Sequence, residues 1–310
     1  MALKTRHIVI ELVLDKQQFP NSGGSNTKII RANSDNSSLT VKATINKSVG
    51  QMNSSANVSI MGMLNEDIDV LDKLIYNQGV PLYKDNKVLI YAGYTLDDNN
   101  YPPLTYVGDI YLGGVDRNNP NRPFIIQSIV GYYSDNVLLK PISVKGSIPL
   151  TNLFSNIVSN AGEDFIYTPN NVTGFAENIA IYGNFKHQMT MSTRPNGYKW
   201  MQDDKYILVA PVNSEFRLTP DPILINYQTG LLGYPVTASM GIQCRTYYNP
   251  QVTYGSLIDL ESNTQFVNEN GELQKRWYVN GLNIELENRG SLWESTLSLN
   301  NVLYTTGALA

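Results

Sequence analysis

The chain has 310 residues, enough for one large domain or two to three ordinary ones, and its formal net charge is −4. That balance excludes the strong basic field with which a protein grips nucleic-acid phosphates; a conduit through which DNA only passes stays open, because its wall should be neutral or acidic. One cysteine, Cys244, excludes an internal disulfide.

Charged residues make up only 16% of the chain, against about 25% in an ordinary soluble domain, so neutral polar residues fill the surface. Asn, Ser, Thr, Gly and Tyr are abundant, which is the composition of turn-rich β-structure. Met1 to Arg6 lack the apolar core of a signal peptide, and no apolar run approaches the roughly 18–20 residues that span a bilayer. The expectation is synthesis in the cytoplasm without membrane insertion.

The first third reads as strands. His7 to Leu14 is a nearly continuous apolar run, as in a strand buried on both faces. After turn formers from Asn21 to Asn26, Leu39, Val41, Ala43 and Ile45 alternate with polar residues, and Ala56, Val58 and Ile60 repeat the pattern. A helix follows: Asn65 is placed to cap it, Ile68, Leu71, Leu74 and Ile75 form its apolar face, and Gly79 and Pro81 stop it. Strands resume at Lys87 to Tyr94, Thr105 to Tyr111 and Phe124 to Val130.

The middle changes character. Leu150, Leu153, Phe154, Ile157 and Val158 keep helical spacing, and Gly162 ends the helix. Tyr198 to Val209 read as a hairpin turning at Asp203-Asp204, and Pro211, Pro220 and Pro222 mark the exit from this mixed α/β module. The last third returns to strands at Val236 to Arg245, Leu257 to Glu261, Trp277 to Leu286 and Leu292 to Leu299. Asn288-Arg289-Gly290 suits a three-residue hairpin loop with Gly290 left-handed.

Chemistry-bearing residues are sparse, and each has a plainer reading. His7 lies in an apolar strand, and His187 in a polar stretch that reads as a solvated loop, so a Ser-His-Asp arrangement has little to draw on. Cys244 sits in an alternating strand, where a small buried hydrophobe is expected despite neighbouring Arg245. Asp97, Asp98, Asn99 and Asn100 resemble a calcium loop but lack its closing Glu, and a hairpin tip explains them. The acidic pairs Glu163/Asp164 and Asp203/Asp204 both fall at expected turns, and Gly230 and Gly233 fit no phosphate-binding spacing. No catalytic, cofactor-binding or metal-binding residue is assigned. Exposed Tyr248, Tyr254 and Trp277 would suit an alternative, a β-sandwich that recognises glycans on a host.

The C-terminal segment carries a resemblance. Tyr248-Asn249-Pro250, Gly255 to Ser262, Tyr278 to Gly290 and Trp293 to Leu297 resemble the closing domain of phage baseplate hub proteins. Val88 to Tyr94 followed by Val107-Gly108-Asp109-Ile110 resembles the strand pair of their first tube-like barrel. Late-control D type tail proteins and the hub part of type VI secretion spikes are similar in plan. The resemblance implies a mainly β fold with an α/β insert: two tube-protein-like β-barrel domains, residues 1–140 and 218–310, flanking a small mixed α/β domain at 141–217. It further implies a non-enzymatic homotrimer that forms a pseudo-sixfold ring between a hexameric tail tube and a trimeric central spike. Its partners would be tail tube, central spike, baseplate wedge and tape-measure proteins, with DNA only in transit, and its place the tail of the virion.

Overall fold

The computed structural model describes residues 5–15, 19, 25–35, 37–47, 53–72, 86–162, 164–214, 221–238, 241–267 and 273–301. The N-terminal part contributes β1 (His7–Val13), β2 (Thr27–Asn33), β3 (Thr40–Lys47), β4 (Ser55–Met61), α1 (Asn65–Asp72), β5 (Lys87–Gly93), β6 (Leu104–Val115), β7 (Phe124–Ile129) and the short α2 (Tyr132–Asn136). The middle lobe holds β8 (Ile142–Pro149), α3 (Leu150–Asn160), β9 (Ile166–Pro169), β10 (Phe175–Ile181), α4 (Phe185–Thr193), β11 (Tyr198–Asp203) and β12 (Tyr206–Pro211). The C-terminal part supplies β13 (Ile223–Ile225), β14 (Leu231–Ala238), β15 (Gly241–Tyr247), β16 (Leu257–Leu260), β17 (Arg276–Glu287) and β18 (Trp293–Asn301).

The fold is mainly β, as the composition predicts. Strands of both ends share one thirteen-stranded sheet in the order β14-β15-β18-β17-β3-β4-β7-β6-β5-β1-β2, with β16 on β17 and β13 on β16. The period-2 pattern decides which face is core. Val41, Ala43 and Ile45 point inward from β3, Val58 and Ile60 from β4, Ile284 and Leu286 from β17, and Leu297 and Leu299 from β18, all in one hydrophobic cluster. Val9 is buried on the far side of β1, but His7, Glu11 and Val13 are only half-buried, so that strand is less enclosed than its apolar run suggests.

Among the described residues the ladder stays open and does not close into two separate barrels. The reason lies at β3, which uses one edge on β4 and the other on β17. Ile45 faces Ile284 and Ala43 faces Leu286, so the edge that would have closed the N-terminal part joins it to the C-terminal one.

The lobe has its own cluster, with members from Leu139 to Val209. Leu150, Leu153, Phe154, Ile157 and Val158 form the buried face of α3 at the predicted spacing, and Gly162 follows it in left-handed backbone. The hairpin of β11 and β12 forms as read, with Asp203 opposite Tyr206.

Other details depart from the sequence reading. α1 starts at Asn65 itself, with the Leu64 carbonyl accepting from Asp67 and Ile68, so Asn65 is not its cap. Leu74, Ile75, Gly79, Pro81 and Pro220 lie outside the described residues. The strand expected at Val236 to Arg245 is two strands, β14 and β15, broken before Gly241 (φ 136°). Pro235 is tolerated because β14 is an outer strand with a register shift between Leu232 and Val236. Gly290 is not left-handed; a Cβ there would meet the Glu287 carboxylate, the mobile end of a side chain that a substitution would have to displace.

Candidate functional site

Among the described residues the most unusual chemistry lies where the lobe meets the sheet. Along β3 the inward positions run Val41, Ala43, Ile45 and then Lys47, so a cation occupies a core position. Its side chain is 3% exposed. The hairpin tip of the lobe brings two consecutive carboxylates to it: Lys47 Nζ lies 2.6 Å from Asp204 Oδ2 and 3.3 Å from Asp203 Oδ1. The Ser54 hydroxyl donates to Asp203 Oδ1 at 3.2 Å, and the Val107 amide donates to Asp204 Oδ1 at 3.1 Å. Asp204 has φ 50°, a left-handed conformation that few side chains adopt.

Burial alone would lower the Lys47 pKa, but the charges of Asp203 and Asp204 more than reverse this and hold it above its ordinary value. For Asp204, burial is the largest influence and pushes the carboxyl up to about 6, against the pull of Lys47 and the Val107 hydrogen bond and with help from the Asp203 charge. With one cation and two carboxylates the joint holds surplus negative charge away from water. Removing a single member of such a buried cluster costs about 3–5 kcal/mol.

Further bonds lock the parts. Asn53 Nδ2 donates to the Val130 carbonyl at 2.8 Å and to Asp135 Oδ2 at 2.7 Å. The Tyr133 amide at α2 donates to Asp109 Oδ2 of β6 at 2.9 Å. Tyr248 Oη and Thr105 Oγ1 stand 2.7 Å apart, linking the C-terminal part to β6. Met201, Leu208 and Ala210 of the lobe hairpin pack on Tyr254. The Tyr254 packing fixes the lobe on the sheet, while the hydrogen bonds tie α2 to the N-terminal strands and β6 to the C-terminal part.

The other candidate residues are scattered. His7 is half-buried on β1. His187 is exposed, but on the first turn of α4 and not in a loop, because Asn184 caps that helix by accepting from the His187 amide at 2.9 Å. Cys244 is buried in β15 opposite Leu297, and burial pushes its thiol up to about 12. Asp97 Oδ1 accepts from the amides of Asn99 and Tyr101, so the acidic stretch folds as a turn. Gly230 precedes β14, and Gly233 lies within it. Glu163 lies outside the described residues. Tyr248, Tyr254 and Trp277 are 3%, 2% and 3% exposed, which removes the aromatic face the glycan reading needed. Among the described residues no group of His, Cys, Asp and Glu side chains is placed to hold a metal ion, and no helix is long and apolar enough to cross a membrane.

The Lys47 joint escaped the sequence reading, although its signal was there: Lys47 stands two residues beyond Ile45 in an alternating core pattern. Asp203 and Asp204, by contrast, look like any polar hairpin tip.

A family model described as baseplate hub gp41 matches residues 26–297. No curated protein matches the chain. Among solved structures, a tail protein from Neisseria meningitidis MC58 superposes with a TM-score of 0.59 at 9% identity, covering 95% of this chain and 96% of that one. The 43 kDa tail protein of prophage MuSo2 from Shewanella oneidensis gives 0.58 at 9% identity, over 96% and 97%. The E. coli c3393 protein, a type VI secretion component described as similar to T4 bacteriophage tail proteins gp27 and gp5, gives 0.52 at 9% identity over 84% and 73%. At such low identity these structures establish a shared fold.

Proposed function

The chain belongs to the baseplate hub gp41 family, and on that premise we propose that it is a non-enzymatic structural hub at the tip of a phage tail. Three copies form a pseudo-sixfold ring that adapts the hexameric tail tube to a trimeric central spike. Baseplate wedge and tape-measure proteins are its further partners, and DNA passes through its lumen. It is made in the host cytoplasm and ends in the virion. The divisions 1–140, 141–217 and 218–310 belong to the same proposal, and the separate core of the lobe supports the middle one.

One observation carries the reading. Two β-rich parts of one chain are joined edge to edge at β3 and β17, and among the described residues the main ladder ends on two different outer strands, β2 and β14, with β13 closing a short side branch. Unlike edges meet head to tail, and such contacts close into rings when the rotation allows it. Two β parts in each of three copies supply six positions. Both outer strands leave large apolar side chains uncovered, Ile29 on β2 and Tyr234 and Val236 on β14, as expected of surfaces that become buried on assembly.

Sedimentation of the purified chain at micromolar concentration tests this, together with electron-microscopy class averages. A trimeric ring with a central hole is expected. A monodisperse monomer that stays single at the highest concentration reached overturns the reading.

A further inference from the structure

We propose that the folded chain joins Lys47 to Asp204 by an isopeptide bond, with Asp203 carrying the protons. The reacting groups are already in place. Lys47 Nζ lies 2.6 Å from Asp204 Oδ2, inside the joint between sheet and lobe. The other carboxyl oxygen, Oδ1, accepts from the Val107 amide at 3.1 Å, a donor aimed at the oxygen that gathers negative charge in a tetrahedral intermediate. Asp203 stands 3.3 Å from the same nitrogen, oriented by the Ser54 hydroxyl. The Asp204 backbone is left-handed, a geometry that glycine takes freely at a hairpin tip; here a carboxylate is kept in it.

The charge balance favours reaction. An ammonium and two carboxylates leave one net negative charge in a site with little access to water. The groups facing it are Ser54 from before β4, Tyr106 and Val107 from β6, and Tyr248 and Tyr254 after β15; Lys47 is the cation. Burial therefore favours uptake of one proton, and Asp204 is pushed up to about 6. Passing one proton from Nζ to Oδ2 across their 2.6 Å contact turns that ion pair into a neutral amine and a neutral acid, which burial penalises less than the charges. The Nζ lone pair is then free.

The step balances without a co-reactant. Nζ attacks Asp204 Cγ and forms a C–N bond. Asp203 takes a proton from the nitrogen and returns one to the departing Oδ2 hydroxyl, the C–O bond breaks, and one water leaves. A cavity of about 30 Å³ lined by Lys47, Thr105, Asp204 and Tyr248 has room for that water. The product ties the end of β3 covalently to the tip of the β11–β12 hairpin.

Intact-mass spectrometry of the purified full chain, denatured and reduced, tests the bond. A mass one water below that of the sequence is expected, with a branched proteolytic peptide containing residues 47 and 204. Lys47→Arg and Asp204→Ala should each restore the full mass. Peptide mapping of the wild-type chain decides the matter even where a variant fails to fold. A full-mass wild-type chain overturns the proposal. So does a one-water deficit confined to a linear peptide around Asp203 and Asp204 and persisting in Lys47→Arg, because that is a cyclic imide.

Discussion

The Asn288 side chain accepts a hydrogen bond from the Val41 amide at 2.8 Å, across 247 residues of sequence. Its Nδ2 group donates to the carbonyls of Leu39 and Asn33, each at 3.0 Å. One buried amide thus satisfies three backbone groups at the entrance to β3 and fastens the turn after β17 to the N-terminal part. Asn288→Ala takes the side-chain acceptor from the Val41 amide and one donor each from the Leu39 and Asn33 carbonyls, and should cost about 1–3 kcal/mol in urea unfolding. Asn288→Asp, which keeps the acceptor but loses both donors while ionised, should cost at least as much at neutral pH. A loss below about 0.5 kcal/mol for both variants would mean that water replaces the clamp.

The Lys47 joint separates charge from shape. Lys47→Met leaves two carboxylates facing each other in a buried site and should lose about 3–5 kcal/mol. Combining it with Asp203→Asn and Asp204→Asn removes the stranded charges while keeping the acceptors that Ser54 and Val107 use. The triple variant should be more stable than Lys47→Met alone, as measured by the midpoint of denaturant unfolding at unchanged slope. A triple variant as unstable as Lys47→Met would show that packing, not charge, dominates the joint.

Cys244 should be inert in the native protein. Its thiol is buried on β15 between β14 and β18, and burial pushes its pKa up to about 12, so almost none is thiolate at about pH 8. An aromatic disulfide reagent should label it only as fast as the chain unfolds, and completely in denaturant. Rapid labelling of the folded chain would place β15 in an opening region.

How much of this could be read from the sequence depended on the range of the interaction. The β3 alternation and the α3 face are local patterns, and both appear as read. The pairing of β3 with β17 is not local: nothing in Ala43 or Leu286 alone names the other as partner, so two closed barrels and one open joined sheet predict the same residue pattern. Aromatic exposure was equally illegible. Tyr248 looks like a surface aromatic beside Asn249-Pro250, yet its ring packs edge-on against Trp293 and its hydroxyl finds Thr105. Lys47 was legible from its phase in the strand; its partners were not, since they arrive from a lobe 156 residues away.

Asp135 gives the clearest dependence on pH. Burial is the largest influence on its carboxyl and raises its pKa, against the Asn53 hydrogen bond and the charge of Lys186. Its Oδ1 atom has no hydrogen-bond partner among the described residues, so the ionised form is poorly solvated there. A carboxyl with a raised folded-state pKa binds its proton more tightly folded than unfolded. Its contribution therefore favours folding at low pH and is lost as pH rises through the folded value. Asp135→Asn keeps an acceptor for Asn53, which donates to Oδ2 at 2.7 Å, and removes the charge. The variant should be more stable than the parent chain at about pH 7, and the difference should vanish by about pH 3.5, below the ordinary aspartate value. Paired urea titrations at the two pH values measure this, and a variant less stable at neutral pH would mean that the ionised carboxylate is held by contacts stronger than its burial.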